Sequence, residues 1–117
     1  MESYMEITNQ ITGYILALKS LNIVSENLAD KMFKHINTIE DYADDSLTLP
    51  ELSLADRENY YNIALQEIFT LLHTLVKARE ELPKPAFEWL ADHTKELMEE
   101  ISTCFICEYG DNLKTLY

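Results

Sequence analysis

Residues 53–75 read SLADRENYYNIALQEIFTLLHTL. Tyr61, Ala64, Leu65, Ile68, Leu71, Leu72 and Leu75 recur three or four residues apart, which places them on one face of an α-helix. At the start, Ser53-Leu-Ala-Asp56 sets an acid three residues after a hydroxyl, a variant of the capping box that marks a helix N-terminus. This is the longest periodic run in the chain. It predicts a helix that ends at Pro83, because proline cannot donate to the helical ladder.

The pattern repeats on both sides. Upstream, residues 44–50 read DDSLTLP, turn formers followed by a proline, and predict a break. Before the break, Leu28, Met32, Ile36, Ile39 and Ala43 form a stripe with Phe33 beside it, opened by Ser25 as N-cap. Nearer the N-terminus, Tyr4, Ile7, Ile11, Tyr14, Ile15 and Leu18 predict a helix over about residues 2–21. Gly13 lies inside it and costs about 1 kcal/mol against alanine, so a close helix approach is expected there. Downstream, Pro85 suits a first helical turn. Phe87, Leu90, Ala91, Leu97, Ile101 and Cys104 make a fourth stripe, flanked by Trp89 and Met98. Trp89 is expected to be partly buried at a bundle end. Gly110 reads as the residue that ends this helix. Residues 110–117 then read as a looser tail, from which Leu113, Leu116 and Tyr117 could fold back.

Short connections make neighbouring helices antiparallel. The expected fold is all-α: an antiparallel four-helix bundle, up-down-up-down, with residues 1–117 as one domain. Composition agrees. Apolar residues are 47% of the chain, too many for a disordered segment. Two glycines and three prolines are too few for a turn-rich β fold of this size.

Charge narrows the function classes. The chain carries 21 acids against 9 lysines and arginines, a formal net charge of −12. Nucleic acid and anionic membranes both require clustered lysine and arginine, so neither is an expected partner. No stretch has the roughly 18 apolar residues of a membrane span. The acidic N-terminus lacks the basic region of an export signal. The expected location is the cytoplasm, where thiols stay reduced.

Motifs for chemistry do not emerge. Cys104 and Cys107 form a C-x-x-C, but near a helix C-terminus, where the dipole is negative. Glu100, Glu108 and Asp111 add like charge and disfavour a thiolate there. Both cysteines are read as structural thiols. His93 lies about 16 Å from Cys104 along a helix axis and cannot share a metal with it. No spacing draws His35 or His73 into a zinc set. None of the three histidines follows the Glu-x-x-His pattern of di-iron bundles, and no glycine-rich phosphate loop occurs. The expectation is no metal, no cofactor and no enzyme activity.

One asymmetry stands out. Between Ile36 and Val76 lie eight acids: Glu40, Asp41, Asp44, Asp45, Glu51, Asp56, Glu58 and Glu67. Arg57 is the single lysine or arginine among them. The acids gather around the second loop, interleaved with Tyr42, Tyr60 and Tyr61. Helix N-termini favour acids in any case, which accounts for Asp56 and Glu58. The remainder suits a surface that docks on a basic protein, with charge steering the encounter and aromatics anchoring it. Expected partner-binding residues are Glu40, Asp41, Tyr42, Asp44, Asp45, Glu51, Asp56 and Tyr60. By analogy of charge and fold class, immunity proteins, antitoxins and phage-encoded anti-defence inhibitors are often small acidic proteins that occlude a basic site. The expected partner is a basic protein, a nuclease or DNA-binding protein. The alternative is a helical adaptor, chaperone or homodimer binding through leftover apolar residues such as Phe33, Phe69, Met98 and Phe105.

Overall fold

The computed structural model describes residues 3–116, with side chains through residue 111. Four helices follow one another: α1 (Tyr4–Ser20), α2 (Glu26–Thr48), α3 (Leu54–Lys77) and α4 (Lys84–Leu116). A single 3-10 turn, Arg79–Glu81, separates α3 from α4. Each helix packs against its predecessor, and α1 also packs against α4. The result is the antiparallel, up-down-up-down bundle expected from the periodicity. Its long dimension is 49 Å. At about 1.5 Å per residue, α4 alone accounts for that length.

Caps set the helix starts. Ser25 and Ser53 sit in extended backbone and accept hydrogen bonds from the N–H groups of Leu28 (3.1 Å) and Asp56 (3.2 Å). Each bond satisfies a donor that the first helical turn leaves without a partner. Ser3 does the same for Glu6 on α1. The end of α1 is closed by Asn22, whose φ is +58°. Ile23 N–H donates to Leu18 O (2.9 Å) and Asn22 N–H to Lys19 O (3.0 Å), the paired bonds of a Schellman ending. Asparagine tolerates the left-handed region better than most residues.

The core follows the stripes. Ile7, Ile11, Ile15 and Leu18 from α1 meet Leu28, Met32, Ile36, Ile39 and Ala43 from α2. Ala64, Ile68, Leu71 and Leu75 from α3, with Leu90, Leu97 and Ile101 from α4, complete it. Trp89 is half-buried, stacked between Tyr14 (centroids 4.0 Å) and His93 (3.7 Å). That sandwich, with His93 Nδ1–H donating to the Trp89 carbonyl at 2.8 Å, ties α1 to α4.

Several expectations change. α2 does not break at Asp44 but runs to Thr48. α3 stops at Lys77, short of Pro83. α4 does not end at Gly110: that residue has no positive φ, and the helix continues to Leu116. The fold-back of Leu113, Leu116 and Tyr117 lies outside the described side chains. On α4 the buried residue is Phe105, 1% exposed, while Cys104 sits half-exposed at the edge. Phe105 stacks on Tyr61 with centroids 4.2 Å apart, and Tyr61 donates to Ser102 Oγ (2.9 Å). Burying a large aromatic removes more apolar surface from water than burying a thiol, so the helix turns Phe105 inward.

Gly13 has no close helix neighbour. It is exposed, and a Cβ built there meets nothing within 4 Å. Gly13→Ala is therefore expected to raise unfolding free energy by about 1 kcal/mol, measured by urea denaturation. A loss of stability would show a packing constraint at that position.

Candidate functional site

The acidic residues cluster at one end of the α2–α3 pair, and Arg57 explains how that end is built. The last turn of α2 has no basic residue of its own. Its carbonyls form the negative end of the helix dipole and lack helical partners. Arg57, from the first turn of α3, supplies both charge and donors. Nη1 donates to Ser46 O at 2.9 Å, and Nη2 donates to Leu49 O. In return, the Ser46 hydroxyl donates to the Arg57 carbonyl at 2.8 Å. The guanidinium lies over the Tyr109 ring, 5.0 Å from its centroid. Tyr109 in turn donates to Leu47 O at 3.2 Å. Arg57 is only 8% exposed, so its charge is turned inward on backbone carbonyls. These bonds also explain why α2 persists through Ser46 and Thr48.

The eight expected partner-binding residues divide. Asp41, Asp45, Glu51 and Asp56 are exposed. Asp41 and Asp45, four residues apart, share one face of α2. Glu40 and Asp44 are half-buried and turn toward α1. Asp44 accepts a hydrogen bond from the Tyr4 hydroxyl. Burial and that carboxylate push the Tyr4 phenol well above the ordinary phenol range. Burial raises Glu40 as well, helped by the negative charges of Asp44 and Asp41, while the Thr8 hydroxyl pulls the other way. Tyr42 and Tyr60 are half-buried against each other, edge to face, with centroids 5.7 Å apart. Part of their surface therefore belongs to α2–α3 packing. Among the described residues, no ion pair involves Asp41, Asp45, Glu51 or Asp56; Lys19–Asp30, His35–Glu67 and Lys84–Glu88 lie elsewhere.

The cysteines are free, with Cys104 half-exposed and Cys107 exposed. Burial, then the Glu100 carboxylate 3.6 Å from its sulfur, raise the Cys104 thiol above its ordinary value. Among the described residues, no three His, Cys, Asp or Glu side chains converge on a metal position. No helix is long and apolar enough to cross a membrane among those residues.

A second feature escaped the sequence reading. At the far end of the same helix pair, a groove of about 420 Å³ is lined by Leu28, Lys31, His35, Thr70, His73, Thr74, Lys77, Ala78 and Glu81. His35 is fixed in its wall. Its Nδ1 lies 2.6 Å from Glu67 Oε1, and its Nε2 lies 3.2 Å from Thr74 Oγ1. His35 thus bridges the Glu67 carboxylate and the Thr74 hydroxyl, one through each ring nitrogen. Thr38, Thr48, Thr70 and Thr94 instead donate to the carbonyl four residues back. Glu67 and Thr74 lie seven residues apart on α3, two helical turns, and that spacing was the one available sequence signal. It gives no hint of His35 on another helix. Comparison with protein families, curated proteins and solved structures finds no match for this chain.

Two expectations follow from the acidic end. Arg57→Ala should cost about 3 kcal/mol, from two lost charge-assisted bonds and the carbonyls left behind. Arg57→Lys should recover little of it, because one ammonium lacks the guanidinium fork. Equal stability of the lysine and arginine proteins in urea would show that the fork is not needed. Folding raises the Glu40 pKa, so the folded chain holds that proton more tightly than the unfolded chain does. The ionised group therefore lowers stability at neutral pH, and the penalty fades as pH falls through the folded value toward the ordinary 4.5. Glu40→Gln should gain less than about 1 kcal/mol at pH 7, since the group is partly solvated. The gain should vanish below about pH 4. An equal gain at both pH values would rule out charge as the cause.

Proposed function

We propose that this protein is a non-enzymatic inhibitor whose acidic end occludes a basic, nucleic-acid-binding site on a partner protein. One observation carries the reading. The only lysine or arginine between Ile36 and Val76, Arg57, is buried on backbone carbonyls, so the exposed carboxylates around it keep their full charge. Asp41, Asp45, Glu51 and Asp56 then present negative charge where a phosphate backbone would otherwise sit. Such a surface speeds association with a cationic partner and loses strength as salt screens it. Glu40 and Asp44 add to the field from half-buried positions, and the exposed edges of Tyr42 and Tyr60 supply contact area.

A second reading is a helical adaptor or a homodimer. Of the apolar residues first considered for it, Phe105 is in the core, and Phe33 and Met98 pack against the core. Phe69 remains, 57% exposed, with Val76 two turns along α3 at 50%. This apolar face is small, which is why the inhibitor reading is preferred.

One experiment separates them. The wild-type chain and an Asp41→Lys/Asp45→Lys variant are used to capture partners from host lysate at low and high salt, with identification by mass spectrometry. Asp44 is spared because reversing it would break the Tyr4 bond. The inhibitor reading expects a basic nucleic-acid-binding protein that is lost at high salt, lost with the variant, and displaced by duplex DNA. A partner indifferent to salt and to the variant, or capture of the chain alone, would overturn it in favour of the apolar face of α3.

A further inference from the structure

We propose that the loop joining α2 to α3 holds an anchor pocket for one arginine side chain of the basic partner, an inference that rests on the inhibitor reading and deepens it. The pocket, about 350 Å³ in volume, is lined by Leu49, Pro50, Glu51 and Leu52. Leu49 is 43% exposed although it is a large aliphatic residue. The Arg57 clamp accounts for this. Leu49 turns its carbonyl inward to the guanidinium, and its N–H donates to Asp45 O at 3.3 Å. Both of its backbone groups are held inside, and its side chain stays at the surface. Downstream, the Ser53 cap fixes the start of α3. The pocket is therefore built before a partner arrives, and docking there costs little ordering entropy.

The lining selects the occupant. Leu49, Pro50 and Leu52 are apolar, and Glu51 is an exposed carboxylate. Exposed Asp45 precedes the loop and exposed Asp56 follows it. Among the described residues, no ion pair involves either of them or Glu51. An uncharged apolar side chain would cover the floor and leave these charges without a counterpart. A second copy of this chain, at −12, would be repelled by them. A long cationic side chain matches both parts, since its methylenes lie on apolar surface while its charged head stays in water. Arginine fits better than lysine. Its planar fork meets a carboxylate through two parallel bonds, and it is less strongly hydrated than an ammonium. Arginine is also enriched among the residues that dominate binding at protein interfaces, and it is the side chain a phosphate-holding site supplies most readily.

The test is an NMR titration of the intact protein, reading the methyl signals of Leu49 and Leu52. The probes are butylguanidinium, guanidinium, butylammonium and butylurea, at ionic strength held constant with sodium chloride. Saturable shifts are expected with butylguanidinium. It should bind more tightly than guanidinium, which lacks the stem, than butylammonium, which lacks the fork, and than butylurea, which lacks the charge. Glu51→Gln should weaken butylguanidinium binding about threefold, the scale of one exposed ion pair. Glu51 is exposed, so an unchanged urea midpoint confirms that the variant folds. Absence of saturable shifts, butylurea or butylammonium binding as tightly as butylguanidinium, or full affinity in Glu51→Gln would each overturn the proposal. Its failure is distinct from failure of the inhibitor reading, because the lysate capture turns on Asp41 and Asp45, which lie outside the pocket lining.

Discussion

The guanidinium of Arg57 is the constraint around which the acidic end is organised. A helix that ends in a tight connection exposes carbonyls, and α2 has no basic side chain in its last turn to meet them. Arg57 reaches across from α3 and bonds to Ser46 O and Leu49 O. The same side chain lies over the ring of Tyr109 of α4, which itself reaches Leu47. One residue thus joins α2, α3 and α4 at one end of the bundle. Its position inside the structure has an electrostatic consequence: a base that in sequence looks like a partial neutraliser of its neighbours neutralises a helix terminus instead. Asp41, Asp45, Glu51 and Asp56 are left facing solvent.

Charge is therefore distributed by position along the α2–α3 pair. Asp41, Asp45, Glu51 and Asp56 surround the connecting loop. Lys31, Lys77, His35 and His73 line the groove toward the other end. The hydrogen-bonded chain from Glu67 through His35 to Thr74 also holds α2 to α3 at the groove. It does at that end what Arg57 does at the other, with a carboxylate, an imidazole and a hydroxyl in place of a guanidinium and carbonyls.

The fold was legible because its signals are local. Ser25 and Ser53 cap helices through bonds that span three residues, and the stripes of α1, α2 and α3 point inward as their spacing implies. Misreadings came where a distant residue intervened. The DDSLTLP stretch looked like a break from Asp44 onward, but Arg57 and Ser46 help carry α2 to Thr48. Cys104 and Phe105 are adjacent; the spacing set Cys104 on the stripe and Phe105 off it, whereas Phe105 is buried and stacked on the Tyr61 ring of α3. Gly13 suggested a close approach that the packing does not contain, so its cost is uncompensated there. In the candidate site, the clustering of acids was readable, but the turn of Glu40 and Asp44 toward α1 was not.

The sequence by itself determined an all-α bundle, its caps, most of its core and its acidic excess, because periodicity, capping and net charge are properties of neighbouring residues. Only the tertiary structure decided which charges are free. That choice depends on pairs far apart in the chain, Tyr4 with Asp44, His35 with Glu67 and Thr74, and Arg57 with Tyr109. No local pattern encodes such pairs, since each is made when two helices bring unrelated positions within hydrogen-bonding or ring-contact distance.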